Sequence, residues 1–119
     1  MKKYVNVLGV KYRIIRRTAN ELEIGKGGFC DPDLKTIEIV KLNTVEEWQQ
    51  EPREKILARE KLLLRHEIVH AFLNESGIRD NGACFDMSWA HNEEMVDWFA
   101  IQGEKIYKAW EEAGAFEWR

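Results

Sequence analysis

The rhythm of apolar and polar positions changes near Pro52: β-like short runs precede it, and apolar residues recurring every three or four positions follow it. Residues 4–16 are rich in β-branched and aromatic side chains and are broken at Gly9, which predicts two short strands joined by a turn. A third β segment is expected around Glu21 to Ile24, ended by the loop Gly25-Lys26-Gly27-Gly28, and Phe29 to Asp33 reads as a turn. From Lys35 to Lys41, Ile37 and Ile39 alternate with Thr36 and Glu38, the pattern of a strand with one buried face. Its charged ends and polar outer face suit an edge strand, which either pairs with an extended peptide or merely closes the sheet.

Beyond possible caps at Asn43 and Thr44, Pro52 opens a long helix over Arg53 to Glu75, stopped at Gly77. Ile56, Leu57, Leu63, Leu64, Ile68, Val69, Phe72 and Leu73 cover so much of its circumference that a central, buried helix is expected. Asp80-Asn81-Gly82 lies in a reversing loop, and a second helix follows from His91 or Asn92 to Glu112, ended by Gly114. Its apolar set, Met95, Val96, Phe99, Ala100, Ile106, Tyr107 and Trp110, makes it the antiparallel partner of the first. The expected architecture is a single α+β domain over residues 1–119: a short N-terminal β-sheet whose edge strand packs on a central helix, with a second antiparallel helix.

Composition narrows the function. The chain is 45% hydrophobic and 33% charged, with net charge −3 and a pI near 5.7, so nucleic acid is not an expected partner. Two cysteines, Cys30 and Cys84, lack the density of a secreted disulfide scaffold and read as reduced thiols. There is no signal-peptide pattern at the N-terminus and no apolar run of the roughly 20 residues needed to span a bilayer, so a cytoplasmic protein without membrane association is expected. The glycines at 25, 27 and 28 are not a phosphate cradle, because the Lys-Ser/Thr and following helix of a P-loop are missing.

The candidate chemistry lies in His66-Glu67-Ile68-Val69-His70. Histidines four apart stack on one helix face and can share a small cation, and a glutamate beside them can reach a water on it. As ordinary core residues, two histidines on an apolar helix would be costly without partners. A catalytic zinc needs a third protein ligand and an open position. Glu93 is the first choice, because Asp97 lies one turn later and can accept the free N–H of a liganding imidazole; His91 and Glu94 are the rivals. His91, Tyr12 and Tyr107 are unranked candidates for stabilising an oxyanion.

His66-Glu67-x-x-His70 followed by Asn92-Glu93-x-x-x-Asp97 resembles the gluzincin pattern of thermolysin-type peptidases. The short chain and Glu93-x-x-x-Asp97-x-Phe99-Ala100 more closely resemble the ImmA/IrrE-like metallopeptidases of phages and mobile elements, over roughly residues 35–105. The resemblance implies a small zincin-like fold, zinc held by His66, His70 and Glu93, Glu67 as general base and Asp97 supporting a histidine. Asp97 departs from the asparagine frequent in that family, and the chain carries no helix-turn-helix module of the kind often found near its members. Two functions are weighed. One is a zinc metalloendopeptidase acting on a protein substrate, such as a phage or host regulator, with the Lys35–Lys41 strand as the candidate place for it to bind. The other is a non-catalytic regulatory or interaction protein in which zinc, with His91 or Cys84 as fourth ligand, staples two helices. The aromatic tail, Phe116 and Trp118, either docks on the body or covers the cleft.

Overall fold

Strands Tyr4–Val7 (β1) and Val10–Arg17 (β2) form the expected hairpin. The chain reverses at Leu8 and Gly9, both at positive φ (52° and 87°), and the Asn6 side chain accepts from the Gly9 N–H at 2.9 Å. Two successive positive φ values give a turn whose twist matches the strands it joins. The computed structural model of the chain describes residues 1–23, 26–78 and 88–116. The expected loop at Asp80-Asn81-Gly82 and the residues Cys84 and Trp118 lie outside the described residues.

The next two strands are Gly28–Asp31 (β3) and Thr36–Val40 (β4), and they differ from the sequence reading in two ways. First, Glu21 to Glu23 is not a strand: Thr18 donates through both its N–H and its hydroxyl to Glu21 Oε1, and Glu21 N–H returns to Thr18 O, closing a turn. The third strand is instead β3, built from the end of the glycine run and Phe29-Cys30-Asp31. The turn begins only at Asp31, whose Oδ1 accepts from Asp33 N–H and Leu34 N–H, both at 3.0 Å. Second, the Lys35–Lys41 segment is not an edge. β4 pairs antiparallel with β3 and parallel with β2, giving the order β1-β2-β4-β3 in a mixed sheet. Its polar outer face is the sheet's solvent face, where Glu38 accepts from Arg17 at 2.6 Å, and alternation reads the same on an interior strand as on an edge. The outer strands are β1 and β3.

The inner face carries the core: Val7, Tyr12, Ile37 and Ile39 are fully buried against Ala71 of the long helix Arg53–Glu75 (α1), with Leu63, Leu64 and Ile68 around them. α1 spans the expected residues and ends at Gly77, whose φ of +87° suits a residue without Cβ. It is less buried than expected. Sheet covers one side and the second helix, Glu93–Glu112 (α2), covers part of another, so Leu57 and Phe72 remain about two-fifths exposed. The helices run antiparallel: His70 meets Glu93, His66 meets Asp97, and Arg65 donates to Ala100 O. No helix among the described residues is long and apolar enough to cross a membrane.

One buried carboxylate fixes α1 on the sheet. Glu60, 2% exposed, accepts from Arg16 of β2 at 2.6 Å through Oε1 and from the Leu42 N–H at 2.8 Å through Oε2. Removing it strands a buried N–H as well as breaking an ion pair, so Glu60→Ala is expected to cost about 2–4 kcal/mol by denaturant titration. Arg17→Ala, which breaks only outer-face pairs, with Glu38 and with Glu21 at 3.6 Å, is expected to cost clearly less in the same titration.

Candidate metal centre

α1 sets His66 and His70 one turn apart, with ring centroids 4.8 Å from each other and planes at 68°. What faces them is decided by the start of α2. The Asn92 side chain caps that helix by accepting from Met95 N–H at 2.9 Å, and Glu93 and Glu94 fill the first turn, where the helix dipole favours carboxylates. Just before it, the single turn Trp89–His91 aims the carbonyl of buried Ala90 at α1.

These elements give both imidazoles the same tautomer. His70 Nδ1 lies 2.7 Å from Ala90 O, a group that can only accept, so Nδ1 carries the hydrogen. His66 Nδ1 lies 2.7 Å from Asp97 Oδ1, again an acceptor. Each neutral ring therefore turns a bare Nε2 lone pair the other way, and the lone pairs meet more acceptors: Glu93 Oε1 is 2.6 Å from His70 Nε2 and 3.6 Å from His66 Nε2. Glu67 Oε2 completes the group, 3.9 Å from His66 Nε2. Lone pairs and carboxylates converging with no hydrogen to share require a positive charge between them, either an added proton or a cation. Donors about 2.0–2.1 Å from a tetrahedral ion stand about 3.3 Å apart. The Glu93 contacts bracket that spacing, so a small shift of this exposed carboxylate makes the donor set fit an ion.

Glu67 is held differently. Only 6% exposed, it lies over Gly28 of β3, where an added Cβ would come within 3.1 Å of its Cγ and Oε2. Burial pushes its carboxyl from the ordinary 4.5 up to about 7; a charge on His66 would oppose this, and Glu93 adds to it. A cation beside it would draw the value down again.

The structure thus brings together His66, Glu67, His70, Glu93 and Asp97. Glu94 is exposed and makes neither of the histidine contacts of Glu93. His91 lines the same cleft but is not among the converging donors. Tyr12 and Tyr107 are placed elsewhere: the Tyr12 hydroxyl donates to Glu75 at 2.6 Å, and Tyr107 stacks near Phe116 at 5.1 Å. Phe116 also lies 6.4 Å from Trp110, so it docks on α2 rather than over the cleft. Cys30 is a partly buried thiol pushed up to about 12 by desolvation, which keeps it neutral.

The cleft holds about 870 Å³ and runs between α1, β3 and the start of α2. Its lining adds Arg59 and Asn74, which the sequence reading did not single out, and Lys26 and Gly28, which it read only as a flexible turn; Gly28 lets Glu67 approach the sheet. A glycine at the start of a strand signals close approach, but only once the strand is recognised. In comparisons with known protein families, with curated proteins and with solved structures, nothing matches the chain.

Two outcomes follow for the protein stripped of metal with EDTA. Folded Glu67 keeps its proton to about pH 7 and the unfolded chain only to about 4.5, so the folded state binds more protons between those values and loses stability as pH rises through them. Glu67→Gln lacks that loss, so its melting temperature is expected to overtake the wild type's toward pH 8; parallel curves would contradict a buried carboxylate. Secondly, Asp97→Ala frees the His66 ring and is expected to weaken metal binding about 10- to 100-fold in a chelator competition.

Proposed function

We propose that the chain is a zinc-dependent peptidase that hydrolyses peptide bonds of a protein substrate. The observation that carries this reading is the convergence of two Nε2 lone pairs and the Glu93 carboxylate, with the buried Glu67 carboxylate standing beside them. Two imidazoles and one carboxylate form a ligand set common in catalytic zinc sites, which leave a fourth position open. When bound, zinc supplies a Lewis acid that activates water at neutral pH and polarises a substrate carbonyl.

The chain's own residues do the rest. His66, His70 and Glu93 hold the ion, and Asp97 and Ala90 O keep the two rings turned so that Nε2 faces it. Glu67, not needed as a ligand, takes a proton from the attacking water through Oε2 and returns it to the leaving amine. Its burial over Gly28 fixes its direction and excludes competing solvent. Of the three sequence candidates for stabilising an oxyanion, His91 is the one that lines the cleft.

The substrate strand belongs on β3, not on the Lys35–Lys41 strand. β3 is an outer strand, its backbone pairs only with β4, and it borders the cleft, so an extended peptide can add to it by main-chain hydrogen bonds. A regulatory protein of a phage or its host remains the substrate that the sequence resemblance suggests.

Purified protein is expected to hold about one zinc per chain. Glu67→Gln is expected to keep the metal and to lose at least about a hundredfold in peptide hydrolysis, as for removal of a general base. Metal analysis paired with a casein or peptide-library digest decides it: undiminished cleavage by Glu67→Gln would sink the mechanism, and His66→Ala retaining full zinc would sink the site.

A further inference from the structure

The cleft carries opposite charge at its two ends, and the order of the elements shows why. β3 runs alongside α1 in the same direction: Gly27 lies against Leu63, Gly28 against Glu67, and Cys30 beside the Asn74 side chain. Lys26 and Arg59 therefore line the end before the metal centre, and Asp31 and Asp33 line the end after it. The cations are available. Among the described residues Arg59 has no ion pair and rests near the Trp48 ring at 5.9 Å, and Lys26 pairs with the exposed Glu23 at 3.1 Å and lies over the Phe29 ring at 5.3 Å. At the far end Asp31 Oδ1 accepts from the turn that follows it, and Asp31 and Asp33 together border the cleft.

From Arg59 to Asn74 the helix rises about 22 Å, which is the length of about seven residues of extended peptide. A charge two or three residues from the bond over Glu67 falls within reach of either end.

Resting on the peptidase reading, we infer that the cleft selects a charge-ordered peptide segment, with acidic side chains toward Lys26 and Arg59 and basic ones toward Asp31 and Asp33, on opposite sides of the cleaved bond. Main-chain pairing along β3 supplies affinity with little sequence demand; the end charges supply direction and choice. Because the groups are exposed, the preference is modest and weakens with salt.

The test uses zinc-loaded, full-length Glu67→Gln, so that binding is read apart from hydrolysis. Labelled seven-residue peptides of one central sequence carry two glutamates at one end and two lysines at the other, in both orders, with a glutamine version as the neutral control. Fluorescence anisotropy is expected to show one order binding about three- to fivefold more tightly than the reverse. That gap should close in 0.5 M NaCl and invert when Lys26→Glu and Arg59→Glu are added in a protein whose melting temperature is unchanged. Equal binding of both orders, a gap that survives the charge reversal, or no binding of any peptide overturns the inference. Wild-type protein is then given the same peptides. Ordered binding without hydrolysis would defeat the peptidase reading and leave the charge axis standing; hydrolysis blind to order would do the opposite.

Discussion

Each histidine of α1 gives its one N–H to an acceptor on the α2 side, and most of what is distinctive in the structure follows from that. The acceptors, Asp97 Oδ1 and Ala90 O, sit at 2.7 Å from the two rings. They set the register of the helix pair, since Asp97 is one turn into α2 and Ala90 lies in the turn before it. They also leave both Nε2 atoms as lone pairs aimed at carboxylates. A helix pair held by hydrophobic packing alone would not need this: among α2 residues only Val96 and Ala100 are buried, and much of its aromatic surface, including Trp98 and Trp110, stays exposed. The polar contacts around the histidines therefore do a large part of the positioning, and a bound cation would tighten them by replacing unfavourable lone-pair contacts with coordination.

The sheet side of α1 works by a different rule. Its two buried carboxylates, Glu60 and Glu67, lie seven residues apart on the same face, yet their surroundings send them to different ends. Glu60 meets an arginine and a backbone N–H and is a structural anchor. Glu67 is buried over the glycine of β3, with no such arginine or backbone N–H against it among the described residues, and its carboxyl rises to about 7. Burial against a close cation leaves Glu60 an anchor; burial without one raises the proton affinity of Glu67. The glycine at 28 is the hinge between these outcomes, because any side chain there would press on both Glu67 and the Glu38 carbonyl.

The site was largely legible in sequence and the sheet only partly so. His66, Glu67 and His70 follow from helical spacing, and Glu93 with Asp97 from the same spacing on the next helix, so local geometry alone assembles each half. Helix ends at Glu75 and Glu112 were marked by Gly77 and Gly114. Strand order was not, because parallel pairing of β2 with β4 is a long-range event that leaves no trace in the alternation of Ile37 and Ile39. β3 was hidden by its own composition: a glycine, a turn-forming aspartate and Pro32 just beyond it outweigh Phe29 and Cys30 in any local reading. Missing β3 moved the expected substrate edge one strand inward. Arg59 and Lys26 were invisible for a similar reason, since only the parallel run of β3 and α1 brings them to one end of the cleft.

The remaining question for the site is whether Glu67 is a ligand or stands free, because a closed site of two histidines and two glutamates would be a staple rather than a catalyst. Its proximity allows the first reading: with His66 and His70 it forms a group whose ligand atoms lie within 4.8 Å of one another. The distances favour the second. Donors sharing one tetrahedral ion stand about 3.3 Å apart. Glu67 Oε2 is 3.9 Å from His66 Nε2, whereas Glu93 Oε1 is 3.6 Å from the same atom and already touches His70. Glu93 is also the one free to adjust, with its side chain about two-thirds exposed, while Glu67 is clamped between α1 and β3. A mobile carboxylate can close on an ion; a clamped one that falls short leaves a gap of the kind a water fills. Such a gap, between a buried carboxylate and two oriented imidazoles, is what the proposed hydrolytic reading needs and a structural staple does not.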